Sequence, residues 1–214
     1  MQLQQAVEPT ELALLTTEWR AAPQQHFELA VDHPFLSGQH QLLVSNGRRA
    51  EICYVMHRGV PAEGVLLHIK TMYPSGAYRL PTGGIQSGEP VLATLTREIY
   101  EETGLKVGPG ADQVQVQRWL GVLSYAMAHR TLVRTFEFAT YIFLAQMPAA
   151  ATLNPTDPEE QIADWQWRTP AELHTVAQTL ATIGVQVPGW ADWGRYRALV
   201  HTFVADRLAS PSVA

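Results

Sequence analysis

Apolar residues return at helical spacing near both ends of this chain and in alternating or unbroken runs through its middle. Residues 10–22, TELALLTTEWRAA, place Leu12, Leu15 and Trp19 on one helical stripe, with Thr10 as the expected N-cap and Pro23 as the stop. HQLLVS (40–45) is a candidate strand, and Asn46-Gly47 is a hairpin signal joining it to AEICYVMHR (50–58). GVLLHIKT (64–71) reads as a buried strand, and a short polar loop, 73–77, leads from it to YRLPTGGI. WLGVLSYAM (119–127) and LVRTFEFATYIFLAQ (132–146) predict two long strands of a hairpin. In the second, Val133, Phe138 and Ile142 are apolar, with Arg134 and Glu137 between them. ADWQWR (163–168) is a short strand. Thr169 then caps a helix that opens with Pro170 and carries Glu172 at the capping-box position. Residues 187–209 end the pattern with an amphipathic helix. Strands, helix, strands, helix, helix is the order of a mixed sheet covered by helices, not of a regular parallel βαβ array.

One stretch breaks the balance between pattern and charge. Residues 80–105 read LPTGGIQSGEPVLATLTREIYEETGL. Pro90 fits the first turn of a helix and Gly104 the left-handed position past its end. At about 100° per residue, Glu102 falls roughly +40° and Glu101 roughly −60° from Glu98. The three carboxylates form one band, and Leu92, Leu95 and Ile99 form an apolar stripe beside it. Like charges so close repel, and a hard cation such as Mg²⁺, with its preference for oxygen ligands, resolves the repulsion. The turn Thr82-Gly83-Gly84 precedes the helix, and its glycines are expected to adopt unusual dihedrals that bring backbone carbonyls to a metal or a phosphate. Arg97 neighbours Glu101 on the helix and is within reach of Glu89. A solvated, charge-laced helix face is the plainer account of a lone E-x-x-E-E. The fixed positions Gly83, Glu89, Arg97, Glu98, Glu101, Glu102 and Gly104 outweigh it, since seven identities at a generous ~1 in 10 each recur about once in 10⁷ starting points.

These residues, with Ile99 and Leu105, fit G-x5-E-x7-R-E-U-x-E-E-x-G-U, where U is bulky and aliphatic, and so the stretch resembles the signature of the Nudix hydrolase family. The resemblance covers residues 83–105 directly and the element order from about 48 to 180. It implies an α/β/α sandwich and Mg²⁺- or Mn²⁺-dependent cleavage of a nucleoside diphosphate linked to another group. It implies Glu98, Glu101 and Glu102 as catalytic metal ligands, joined by the Gly83 carbonyl, with Glu89 and Arg97 in a supporting pair. The expected organisation is an extension over 1–47, the hydrolase domain over 48–186, and a C-terminal helix over 187–214 packing on that domain.

Family members often draw a further acid from a distant loop. Asp157, Glu159 and Glu160 lie in the acidic loop after the long hairpin, and Glu160, leading into the next strand, is the choice for a ligand or general base. Lys70 and Arg79 flank the loop before the box and are candidates for substrate phosphate. His129 and Arg130 sit at the expected hairpin tip, where loops often carry binding groups. Cys53 reads as buried and inert, His68 as a satisfied strand residue, and Trp165, Trp167, Trp190 and Trp193 as core or interface aromatics.

Composition narrows the partners. The 214 residues carry a net charge of −5, which argues against nucleic acid or an anionic membrane surface but leaves a small anionic substrate open. A single cysteine and the absence of a basic, then apolar, N-terminal pattern suggest a cytoplasmic setting. The family dimerises often, so a homodimer is among the expectations. Two other classes compete: a noncatalytic nucleotide-binding regulator on the same fold, and a protein–protein module acting through its terminal helices. The intact box counts against the first, and metal-dependent turnover would count against the second. The substrate stays open among a nucleotide sugar, a dinucleotide, ADP-ribose and a damaged nucleoside triphosphate.

Overall fold

A computed structural model describes residues 6–32, 35, 48–131 and 133–209. Four helices are present among them: α1 (Pro9–Trp19), α2 (Val91–Thr103), α3 (Glu172–Gln186) and α4 (Ala191–Ala209). Seven strands form one mixed sheet: β1 (Gln24–Val31), β2 (Ala50–His57), β3 (Val65–Lys70), β4 (Thr82–Ile85), β5 (Gln115–His129), β6 (Thr135–Gln146) and β7 (Ile162–Arg168). Their order is β1-β5-β6-β2-β3-β7, with β4 paired to β2. The expected strand at 40–45 and the Asn46-Gly47 turn lie outside the described residues.

The central strands are buried on both faces, and their alternation divides the core in two. Ile52, Tyr54 and Met56 of β2 face one layer with Leu15 of α1 and Val91, Leu95 and Ile99 of α2. Cys53 and Val55 face the other, with Leu173 and Leu180 of α3 and Tyr196, Val200 and Phe203 of α4. The result is the expected α/β/α sandwich. Among the described residues no helix is long and apolar enough to cross a membrane.

Several local expectations need correction. α1 begins at Pro9 with Glu8 as its N-cap, not Thr10, because proline is favoured at the first helical position. Leu92 leaves the apolar stripe of α2 and is 39% exposed, since the helix already fills its face with Val91, Leu95 and Ile99. Strand β1 was readable in the alternation of Phe27, Leu29 and Val31 yet falls in a segment without an expected element; it pairs in parallel with β5. The capping box at Thr169 forms as expected, with the Thr169 N–H donating to Glu172 at 2.7 Å.

One feature of the sheet positions everything that follows. The edge of β2 away from β6 is shared: β4 pairs with Ala50–Cys53, while β3 joins only at His57. In the gap, residues 79–81 run along the opening, with Arg79 bridging to His68 of β3 and the Tyr54 N–H donating to the Pro81 carbonyl at 3.2 Å.

Candidate active site

The glycines before the box do not form a turn. Thr82–Ile85 is a strand, and Gly83 and Gly84 lie opposite Ile52 and Glu51 of β2 with no positive φ. Sheet pairing fixes their dihedrals, so their value is closeness rather than unusual conformation. A Cβ on Gly83 would sit 1.9 Å from the Glu98 carboxyl carbon, so only glycine lets that side chain lie against the strand.

α2 ends where expected, at Gly104 with φ 76°, and the end is a docking point. A helix leaves its last carbonyls without intrahelical partners. Here the loop before β7 fills them: Thr156 N donates to the Glu101 carbonyl at 2.9 Å, and Asn154 N donates to the Thr103 carbonyl at 2.9 Å. The acidic loop is thereby fastened to the box helix. It continues into a 3-10 turn, Pro158–Glu160, capped by the Asp157 side chain.

That attachment brings Glu160 to the box. One carboxylate oxygen each from Glu98, Glu101 and Glu160 lie within 4.8 Å of one another, a spacing that suits a shared cation. Hard carboxylate oxygens are the donor set for Mg²⁺ or Mn²⁺. Glu102 does not join the three. It is fully buried, accepts a hydrogen bond from the Tyr54 hydroxyl, and lies 3.2 Å from Lys70 Nζ.

Two basic side chains meet the acids. Arg97 reaches Glu89, Glu98 and Glu101, each at 2.8 Å, and also donates to the Gly84 carbonyl. Both expected partners of Arg97 are therefore met at once. Lys70 pairs with Glu160 as well as Glu102. Burial, with the Glu102 charge beside it, raises the Glu98 carboxyl to about 8 against the pull of Arg97. Burial alone would raise Glu160 too, but Lys70 outweighs it and brings that carboxyl below its ordinary value.

Arg79 is 2% exposed, and its hydrogen bonds among the described residues go to uncharged oxygens: the Leu80 carbonyl, the Thr82 hydroxyl and the Tyr73 hydroxyl. Lys70, Arg79, Gly83, Glu98 and Glu160 line one cavity of about 420 Å³. Tyr73 also lines it, with Trp193 and Arg197 of α4; the sequence puts Tyr73 in a polar loop, Trp193 among core or interface aromatics, and Arg197 outside the resemblance. For the two on α4 the sequence signal was chemical: an arginine and a tryptophan four apart, on one face of an amphipathic helix.

α4 is bolted to the rest of the site. Arg197 donates to Glu51 at 2.7 Å, Tyr196 donates to the same oxygen at 2.7 Å, and Thr140 does so at 3.0 Å. His201 Nε2 accepts the Leu80 N–H at 2.9 Å, so the proton lies on Nδ1, which donates to the Arg197 carbonyl. Burial holds that imidazole down at about 4. A histidine whose folded value lies below its unfolded value contributes stability that is full above the unfolded value and is lost as pH falls toward the folded one. Stability is therefore expected to drop between pH 6.5 and 4, and His68, lowered the same way by burial, adds to it. Urea unfolding at pH 7 and pH 5 checks this: His201→Gln should shrink the difference, and an undiminished difference would remove His201 from the account.

His68 is otherwise a correction. Its ring is fully buried, packs against Trp165 and lies 3.9 Å from Glu102, and among the described residues neither nitrogen has a hydrogen-bond partner. His129 and Arg130 do not line the cavity; Arg130 pairs with Asp32 and Asp192. Cys53 is buried, and burial raises its thiol.

A family model described as the NUDIX domain matches residues 38–185. Among solved structures, the dihydroneopterin triphosphate pyrophosphohydrolase of E. coli is similar at 16% identity, covering 60% of this chain and 84% of its own, with a TM-score of 0.43. The MutT protein of Bacillus halodurans is similar at 22% identity, covering 59% and 72%, with a TM-score of 0.41. An Ap4A hydrolase of C. elegans is similar at 16% identity, covering 67% and 96%, with a TM-score of 0.44. No curated protein matches the chain.

Proposed function

We propose a function from one premise: this chain belongs to the Nudix family of pyrophosphohydrolases. The finer reading is a hydrolase, dependent on Mg²⁺ or Mn²⁺, that cleaves the pyrophosphate of a small nucleoside diphosphate derivative. The observation that carries it is the meeting of Glu98 and Glu101 with Glu160, from a loop about sixty residues away, beside a cavity with a buried arginine.

Glu98, Glu101 and Glu160 would hold the ion, with the Gly83 backbone against Glu98. Glu102 stays in the proposed set as the inner carboxylate, which would add its charge to the site from beside Glu98. When bound, the ion supplies charge neutralisation at phosphate oxygens and a more acidic water. The chain's own residues do the rest. Arg97, fixed by Glu89, holds Glu98 and Glu101 in place. Lys70 keeps Glu160 ionised, so its carboxylate is ready to bind the cation or take a proton from water. Arg79 offers a buried guanidinium, hydrogen-bonded to uncharged oxygens, to a phosphate of the substrate. A cavity of about 420 Å³ suits a small molecule.

The test is a panel of nucleotide sugars, dinucleotides, ADP-ribose and nucleoside triphosphates, with Mg²⁺, Mn²⁺ or chelator. Release of phosphate or nucleoside monophosphate is expected for at least one substrate, to be abolished by chelator and restored by either ion. Full turnover in excess chelator would sink the metal assignment.

A further inference from the structure

We propose that α4, which lies beyond the residues matched by the family model, forms the recognition wall for a nucleoside diphosphate, with Arg197 binding its phosphate and Trp193, with Tyr73, contacting its base. The inference rests on the hydrolase reading for the chemistry at the carboxylates of the same cavity.

The cavity carries both signs of charge. Glu98 and Glu160 line it together with Arg79 and Arg197, and among the described residues the carboxylate ion-paired with either of these two arginines is Glu51. Carboxylates take a cation and guanidinium groups an anion, so the lining suits a diphosphate. Arg197 is 8% exposed; Nη1 donates to Glu51, while Nε is buried and has no hydrogen-bond partner among the described residues. A guanidinium presents five donors in a rigid fork, and planar binding of phosphate is what that fork does best. Glu51 consequently acts as a positioning residue: it orients Arg197 and is itself held by Tyr196 and Thr140.

The aromatic part stands on separate observations. Tyr73 and Trp193 have ring centroids 5.0 Å apart, and Trp190 packs edge-on to Trp193 at 5.1 Å. Tyr73 also holds Arg79 through its hydroxyl, so the aromatic wall and the anion-binding groups are one unit. Inorganic pyrophosphate would use only the arginines, whereas a nucleotide would use the rings as well. The wall is also fixed in place, since His201 bonds Leu80 next to Arg79.

Calorimetric titration of the metal-free protein with inorganic pyrophosphate and with ADP tests this. Wild type should bind both, ADP about 2- to 10-fold more tightly, the scale of one aromatic contact. Arg197→Met alone leaves Glu51 buried and unpaired, so the informative variant is Glu51→Gln with Arg197→Met, which removes both charges together. It should lose about 10- to 100-fold for both ligands, the range for a hydrogen bond to a charged group. Arg197→Lys keeps the counter-charge for Glu51 and should lose in the same direction by less. Trp193→Leu should remove only the ADP advantage, and Arg195→Gln, on the exposed side of α4, should bind as wild type. Wild-type affinity in both Arg197 variants, no pyrophosphate binding by wild type, or equal affinity for ADP and pyrophosphate would each overturn the proposal. If binding follows the expected pattern and no substrate is turned over with Mg²⁺ or Mn²⁺, the hydrolase reading falls and the role of α4 stands.

Discussion

Glu98→Gln is expected to lower metal-dependent turnover roughly 10²- to 10³-fold, the scale of losing one preorganised group that stabilises the transition state. The metal-free variant should melt close to wild type or above it. Glu98 is a buried carboxyl beside a second one, Glu102; both effects favour its uncharged form, which the amide resembles at nearly constant shape. The Arg97 contact at 2.8 Å loses strength but keeps an acceptor. Turnover and thermal melts on the same preparations decide the matter. A variant that unfolds early while its folded fraction retains normal specific activity would make Glu98 a structural residue.

Glu160→Gln is expected to lower kcat about 10²- to 10⁴-fold if the side chain takes the proton, with little change in KM. Glu159→Gln should be nearly silent. The two neighbours differ in surroundings: Glu160 pairs with Lys70 and joins Glu98 and Glu101, whereas Glu159 is exposed at the rim of the cavity. Steady-state kinetics of both variants separates three outcomes. If Glu159→Gln carries the loss instead, the loop is right and the residue wrong. If both keep wild-type turnover, the proton goes to an acid of the box.

The box helix was legible in the sequence because its signals are local. Proline and glycine mark its ends, and a band of glutamates sits beside an apolar stripe within four turns. Arg97 could be placed next to Glu101 from helical spacing alone. Glu160 was reachable by position in its loop, although the reason it arrives there was not: the carbonyls at the end of α2 are filled by backbone from residues 154–157. The inward turn of Glu102 depends on Tyr54 projecting from the α2 side of β2, which is a matter of strand register. The state of Gly83 and Gly84 also escaped local reading, since paired strand and glycine turn look alike until the partner strand is known. Least legible was the wall formed by α4. Arg197 and Glu51 are 146 positions apart, and nothing near either residue announces the other.

That last pairing has a consequence for synthesis. Glu51 leaves the ribosome within the central strand, and its guanidinium partner follows 146 positions later. Until α4 is translated, closing the sheet would bury a carboxylate without its counter-ion, which is strongly unfavourable. The nascent chain therefore has reason to leave this end of the sheet open to water. The cavity wall, with Arg197 in it, is completed only once α4 has been made.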